Sequence, residues 1–99
     1  MNTCEHQIIS RIIDNVLYMG YTVSLYDGDR YTLRYSTAKD SIMAELGHTG
    51  EDVIKIYRHQ NNDQPQYIGF IRFIYNGDAD VVQDCSDKEE ILSLIGWEE

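Results

Sequence analysis

The residues of this 99-residue chain that could do chemistry are its cysteines, its histidines and its clustered carboxylates. Cys4 and His6 lie close together, while His48 and His59 come much later in the chain. A small zinc site is recognised by closely spaced ligand pairs such as CxxC or HxxxH. Because the sequence contains neither spacing, we expect free cysteines, surface histidines and no zinc site.

A group of carboxylates near the C-terminus is the second candidate, and it begins at Asp78. Such groups can hold Ca²⁺ or Mg²⁺. A calcium loop that began at Asp78 would need a glycine at its sixth position, where this chain has Gln83. We therefore expect no metal here. The pattern indicates a solvated acidic edge, which also discourages pairing between sheets.

Motifs of covalent or phosphate chemistry are missing from the sequence. It has no GxSxG elbow and no glycine-rich phosphate loop, and both have strict residue requirements. A Cys–His dyad depends on spatial adjacency that spacing alone does not establish. The sequence therefore predicts that the chain is not an enzyme, with no catalytic residues and no cofactor.

Charge is distributed unevenly along the chain, whose net charge is −9. Residues 76–99 hold eight acids and one base, a net of −7, while residues 1–75 hold nine acids and seven bases, a net of −2. Because phosphates repel such a protein, we expect no direct contact with nucleic acid and no docking on a membrane.

A concentrated patch of carboxylates can instead steer association with a basic protein surface, or imitate the phosphates of DNA. The alternative is that these acids serve only the solubility of a small domain. The candidate partner-binding residues are Asp78, Asp80, Asp84, Asp87, Glu89 and Glu90.

Aromatic and basic residues alternate in a second segment, which contains Arg30, Tyr31, Arg34 and Tyr35. This mixture can stack on and clamp single-stranded nucleic acid. The alternative, which the net charge favours, is a half-exposed strand whose arginines pair with neighbouring acids. The chain holds eight tyrosines, a residue type that is enriched in protein interfaces.

Three apolar patterns of helical period predict the helices. Thr3 and Thr37 are the expected caps of the first two, and Ser86 with Glu89 forms the expected capping box of the third. Glycines in left-handed turns should end them. The expected bounds are Thr3 to Gly20, Thr37 to Gly47 and Ser86 to Gly96.

Five alternating segments predict strands, and the pairs Asp27-Gly28 and Asn76-Gly77 predict hairpin turns. In the second strand, alternation places Tyr31, Leu33 and Tyr35 on one face. The fourth strand is apolar on both faces, which is typical of a central strand or of one that a partner covers. The expected strands are Tyr21–Tyr26, Arg30–Tyr35, Val53–Arg58, Tyr67–Tyr75 and Asp80–Cys85.

The resulting order is α-β-β-α-β-β-β-α, and it predicts an α+β fold in one domain of residues 1–99. We expect an antiparallel sheet of about five strands with the helices on one face. The N-terminus lacks a basic segment followed by an apolar run, so we expect no signal peptide. We therefore predict a cytoplasmic protein whose two cysteines, Cys4 and Cys85, stay free.

Four segments of the chain resemble small, acidic, uncharacterised proteins carried by bacteriophages and prophages. The resemblance covers residues 20–87 and lies mostly in turns and strand pattern. Proteins of this kind are often inhibitors of host defence, including anti-CRISPR proteins and DNA mimics. No active residues are assigned in them, so none is carried over. The segments are Gly20–Asp29, Leu33–Thr37, Gly50–Asp52 and Tyr75–Asp84.

These observations lead to one functional hypothesis and two alternatives. The first is a non-enzymatic phage or mobile-element protein that inhibits a host nucleic-acid-binding defence complex through the acidic patch, in the cytoplasm of the bacterial host. The second is an immunity protein or antitoxin that neutralises a basic toxin. The third is a homodimeric structural module that uses the second apolar face of residues 67–75.

Overall fold

A computed structural model describes residues 2–59, 64–77 and 80–96 of the chain. The predicted order of elements and the α+β class are confirmed. In chain order the elements are α1 (Thr3–Tyr18), β1 (Thr22–Tyr26), β2 (Tyr31–Ser36), α2 (Lys39–Glu45), β3 (Glu51–Arg58), β4 (Gln66–Ile74), β5 (Val82–Cys85) and α3 (Glu89–Ile95).

The five strands form one antiparallel sheet in the order β2-β1-β3-β4-β5. The turn between β1 and β2 is built by Asp27, whose carboxylate accepts the N–H groups of Asp29 and Arg30 at 2.9 and 3.0 Å. Gly28 completes the turn at φ +99°, a conformation that favours glycine. The first predicted hairpin is thus confirmed, and β3 occupies the centre of the sheet.

The hydrophobic core lies between one face of the sheet and all three helices. Alternation along the strands turns every second residue toward this inner face. The predicted inward residues of the central strands, Ile54 and Ile56, are fully buried. The other strands contribute Val23, Leu25, Ile68, Ile71, Phe73 and Val82 to the core. The helices contribute Ile9, Ile12, Ile13, Val16, Ile42, Ile91, Leu94 and Ile95.

The caps of the helices differ from the prediction. Asn2, and not Thr3, caps α1, because its side chain accepts the N–H of Glu5 at 2.8 Å while the Glu5 carboxylate accepts the N–H of Asn2 at 2.9 Å. The N-cap of α2 is Ala38, which has no side-chain hydrogen bond, so the prediction of Thr37 was wrong.

The capping box predicted for α3 was also wrong. Lys88 occupies the N-cap position and makes no side-chain cap. The hydroxyl of Ser86 is used elsewhere, since it accepts the N–H of Phe70 on β4 at 3.0 Å. The predicted glycine ends are confirmed: Gly96 stops α3 at φ +85°, and Gly20 and Gly47, both at φ +83°, directly follow the C-caps of α1 and α2.

Strand β2 departs from simple alternation. Its pairing with β1 shifts register twice, once on each side of the pair Leu25–Leu33. As a result Leu33 packs against the core, while the ring of Tyr35 contacts Tyr57 on the opposite face of the sheet. The prediction that Tyr31, Leu33 and Tyr35 share one face was therefore wrong, because bulges break the two-residue period.

Candidate functional site

The sheet face turned away from the helices, called the outer face below, carries a row of aromatic rings across three strands. Tyr35 of β2 lies with its ring centroid 4.9 Å from that of Tyr57 on β3. Tyr57 in turn lies 5.6 Å from Tyr67 on β4, and His59 lies 5.7 Å from Tyr35. All three ring pairs are edge-to-face, an arrangement that aromatic quadrupoles favour.

Two cations lie among these rings. The Lys55 ammonium donates a hydrogen bond of 2.6 Å to the Tyr31 hydroxyl, which raises the pKa of Lys55. The guanidinium of Arg34 lies 4.3 Å from the centroid of the Tyr31 ring, at cation–π distance. Within the described ranges neither Arg30 nor Arg34 forms a close ion pair. The pKa of the neighbouring Asp27 is lowered, chiefly by hydrogen bonds from the N–H groups of Arg30 and Asp29 and to a smaller extent by the charge of Arg30.

Tyr35 has an uncommon backbone conformation. Its φ of +52° lies in the left-handed region, which costs a non-glycine residue of order 1–3 kcal/mol. Its N–H is held by the hydroxyl of Ser24 at 3.0 Å, and its side chain is 43% exposed. The second bulge of β2 therefore holds a strained, exposed tyrosine at one end of the aromatic row.

The predicted acidic residues divide between two places. Asp80 is exposed just before β5, and Asp84 is exposed on β5 opposite Arg72 of the outer face. Glu89 and Glu90 form the first turn of α3, in the helical layer. Asp78 lies outside the described residues. The strand acids and the helix acids therefore face different sides of the molecule.

Asp87 joins the two groups at the turn between β5 and α3. Burial, followed by the charges of Asp84 and Asp87, raises the pKa of the half-buried Cys85 thiol. Both carboxylates therefore lie close enough to this sulfur to disfavour the thiolate. Since the thiolate is the reactive form, the structure gives Cys85 an unreactive environment. Cys4 is a free, exposed thiol.

A cleft of about 440 Å³ lies between the end of α1 and the start of α3. Tyr18 and Met19 line it and are 89% and 56% exposed. Glu89 and Glu90 line it as well. The two helices are joined beneath the cleft by the side-chain amide of Asn15, which donates to the carbonyl of Leu94 at 2.9 Å.

Sequence reasoning identified the carboxylates of this cleft but missed Tyr18 and Met19. The signal was present, since these two residues continue the chain past the apolar stripe of α1 and directly precede Gly20. Two large apolar residues that follow the core-facing stripe at the end of a helix have no core beneath them to pack against. They are therefore placed in solvent, where a contiguous apolar surface is a feature of binding sites.

Two buried carboxyl groups were also missed. Asp52 is 2% exposed, and its Oδ2 accepts hydrogen bonds from the Gly47 N–H and the Tyr75 hydroxyl, both at 2.9 Å. Burial raises the pKa of Asp52 despite these bonds. Hydrogen bonds from the N–H groups of Asn2 and Gly77 lower the pKa of Glu5. Both groups are enclosed and tie loops to the core.

The described part of the chain has no group of three or more histidine, cysteine or acidic side chains that could hold a metal ion. None of its helices is long and apolar enough to span a membrane. Comparison of the chain with protein-family models, with curated proteins and with solved structures finds no match.

Proposed function

We propose that this chain is a non-enzymatic phage or mobile-element protein that binds and inhibits a host nucleic-acid-binding defence complex. The contact would be made by the cleft between α1 and α3 together with the acids beside it. The observation that carries the proposal is the position of exposed Tyr18 and Met19 next to Glu89 and Glu90. The resemblance to acidic phage proteins supports the biological context.

The chemistry of the cleft fits a basic side chain of a partner protein. An arginine or lysine that enters it would meet the carboxylates of Glu89 and Glu90 and the ring of Tyr18. An aromatic ring and a carboxylate both attract a cation, and partial burial strengthens both interactions. Surfaces that bind nucleic acid are rich in such side chains.

The charge of this region is available to a partner. Lys88 is the single base of residues 76–99, and its ammonium donates to the backbone carbonyl of Ile68 at 3.0 Å instead of pairing with an acid. The two ion pairs of the described residues, Lys39–Asp14 and Arg72–Glu51, do not involve Asp87, Glu89 or Glu90. A local field of one sign steers association with a basic surface.

The test uses the full chain, immobilised and exposed to the DNA-binding fraction of a bacterial lysate. We expect it to retain a host protein that duplex DNA displaces and that high salt releases, because screening weakens contacts between charges. The double variant Glu89→Lys with Glu90→Lys should reduce this retention at least tenfold. Circular dichroism would check that the variant is folded.

The matched control is Asp29→Lys with Asp40→Lys, which changes the net charge equally at two exposed sites away from the cleft. This control should retain the host protein. Equal loss in both double variants would contradict the proposal, since it would show dependence on net charge alone. Capture of a basic nuclease that DNA does not displace would favour the immunity-protein alternative instead.

A further inference from the structure

The outer face of the sheet carries large apolar side chains beside its aromatic row. Val53, Phe70 and Ile74 point to this side, as their register opposite Tyr26, Lys55 and Glu51 shows. All three are half-buried by their neighbours within the chain. Beside them lies the aromatic row, where Tyr35 and Tyr67 are 43% and 46% exposed. Strand β4 therefore presents large apolar side chains on both faces, which is typical of a sheet that is covered twice.

The chain itself covers this sheet on one side. In residues 2–59, 64–77 and 80–96, the buried hydrophobic residues of the three helices all belong to the core on the inner face. A tyrosine-rich surface with half-buried apolar residues matches the composition of protein interfaces. The described helices therefore leave the outer face uncovered.

The edges of the sheet are poorly suited to continuing it into a second molecule. Strand β2 is interrupted by two register shifts. At the other edge, β5 is only four residues long and carries the exposed Asp84. Bulges, short strands and charges are the usual protection against edge pairing. Association is thus directed to the outer face and away from the strand edges.

Charge on the outer face favours a second copy of this chain as the occupant. Arg34 lies on the edge strand β2 and Asp84 lies on the opposite edge strand β5, while Lys55 lies on the central strand β3. A two-fold axis parallel to the strands near β3 places β2 of one copy over β5 of the other. Arg34 then approaches the strand that holds Asp84, as a self-complementary isologous interface requires.

The net charge of the whole chain argues against a single strand of nucleic acid on this face. Phosphates would approach a protein with a net charge of −9, whose repulsion is long-ranged. In the face-to-face dimer, by contrast, the helical layers that carry Glu89 and Glu90 lie on the far sides. We propose that two copies of this chain associate through the outer faces of their sheets, independently of the cleft.

The test is sedimentation velocity of the full chain over a hundredfold range of concentration. We expect a reversible shift from the mass of one chain to that of two. Tyr67→Glu places a charge in the aromatic row of the proposed interface and should raise the dissociation constant at least tenfold. Tyr67 is nearly half exposed, so the fold should survive, and Tyr67→Ala offers a second variant if it does not.

The matched control is Tyr18→Glu, which changes an exposed tyrosine of the cleft between α1 and α3. This variant should dimerise like the original chain. A single-chain mass at every concentration would overturn the inference. So would a dimer that Tyr67→Glu leaves intact, or one that Tyr18→Glu disrupts equally. Binding of a single-stranded oligonucleotide to the monomer, lost in Tyr67→Ala, would overturn it in favour of nucleic acid. A result against the dimer would not contradict the proposed function of the cleft, because the cleft lies on the other side of the molecule.

Discussion

The outer face of the sheet and the cleft between α1 and α3 use tyrosine in opposite ways. On the outer face, Tyr31 and Tyr57 contact cations and other rings, so their neighbours already satisfy much of their surface. In the cleft, Tyr18 is 89% exposed and stands next to Glu89 and Glu90. The outer face therefore suits contacts between complementary apolar surfaces, whereas the cleft suits the binding of a cation.

This difference shows how one acidic chain can hold two surfaces without mixing their chemistry. Arg34 and Lys55 lie among aromatic rings on the outer face, while Glu89 and Glu90 lie in the helical layer. Contacts between rings are little affected by salt, whereas exposed charges are screened. Dimerisation should therefore persist at a salt concentration that abolishes binding to the cleft.

Gly69→Ala should separate the two surfaces most strongly, because it should weaken the cleft and leave the outer face unchanged. A Cβ at Gly69 would lie 2.7 Å from Cγ1 of Ile91 and 2.8 Å from the Ser86 hydroxyl. Because Ile91 is fully buried on α3, its side chain has little room to yield, and either it or the helix that carries it must shift. We expect a loss of about 1–3 kcal/mol in the free energy of unfolding, measured in urea, together with weaker binding at the cleft. The outer face should still dimerise.

Gly50→Ala is the control for this substitution, since a Cβ at Gly50 would meet no atom within 4 Å. It should leave both the stability and the cleft unchanged. If Gly69→Ala were equally silent, the close packing of β4 against α3 would not be what positions the cleft.

A smaller effect is expected at Tyr35, where the strained backbone of the outer face can be separated from its ring. Tyr35→Gly loses the ring but relieves the cost of a left-handed residue, while Tyr35→Ala loses the ring and keeps that cost. The glycine variant should therefore be the more stable of the two by about 1 kcal/mol in urea unfolding. Equal stabilities would show that Tyr35 carries no strain.

The smallest effect is expected at Asp84 and Asp87, which lie between the outer face and the cleft. Their charges act on the thiol of Cys85, so its reactivity can be used to measure them. The raised pKa of Cys85 means that its alkylation rate, which follows the thiolate, rises at higher pH than that of an ordinary cysteine. Asp87→Asn removes one of the charges responsible, so the alkylation rate should begin to rise at lower pH. At a fixed pH below the pKa of Cys85, the variant should react a few-fold faster than the original chain. Mass spectrometry would follow Cys85 separately from Cys4.

Asp29→Asn removes a carboxylate that does not act on this thiol and is the control. If Asp87→Asn left the pH dependence of Cys85 alkylation unchanged, the charge of Asp87 would not act on this thiol. Asp87 would then not link the strand acids to the helix acids.

Much of the fold was predictable because regular alternation and hairpin turns are local properties. Val23 and Leu25 face inward as alternation requires, and Asp27-Gly28 makes the expected turn. The faces of β2 were not predictable, since two bulges with no clear sequence signal change which residues point outward. Composition likewise did not show that Ser86 serves β4 instead of capping α3.

The candidate site was predictable in part. The excess of acids near the C-terminus was visible in the sequence, and its members before and after β5 are exposed. Their division was not visible, because the register shift in β5 turns Asp84 toward Arg72 while α3 carries Glu89 and Glu90 elsewhere. The partnership with Tyr18 depends on the packing of α3 against α1, which is a long-range property.

The hydrogen bonds of Glu5 have a consequence for how the chain folds and opens. One carboxylate oxygen completes the start of α1 and the other accepts the N–H of Gly77 at 3.0 Å, while the Asn2 side chain donates to the carbonyl of Gly77 at 2.8 Å. The first turn of the first helix, which Asn2 and Glu5 cap locally, is thus also tied to the turn that follows β4. Contacts of such sequence separation slow folding, and they also prevent the amino-terminal turn from fraying by itself.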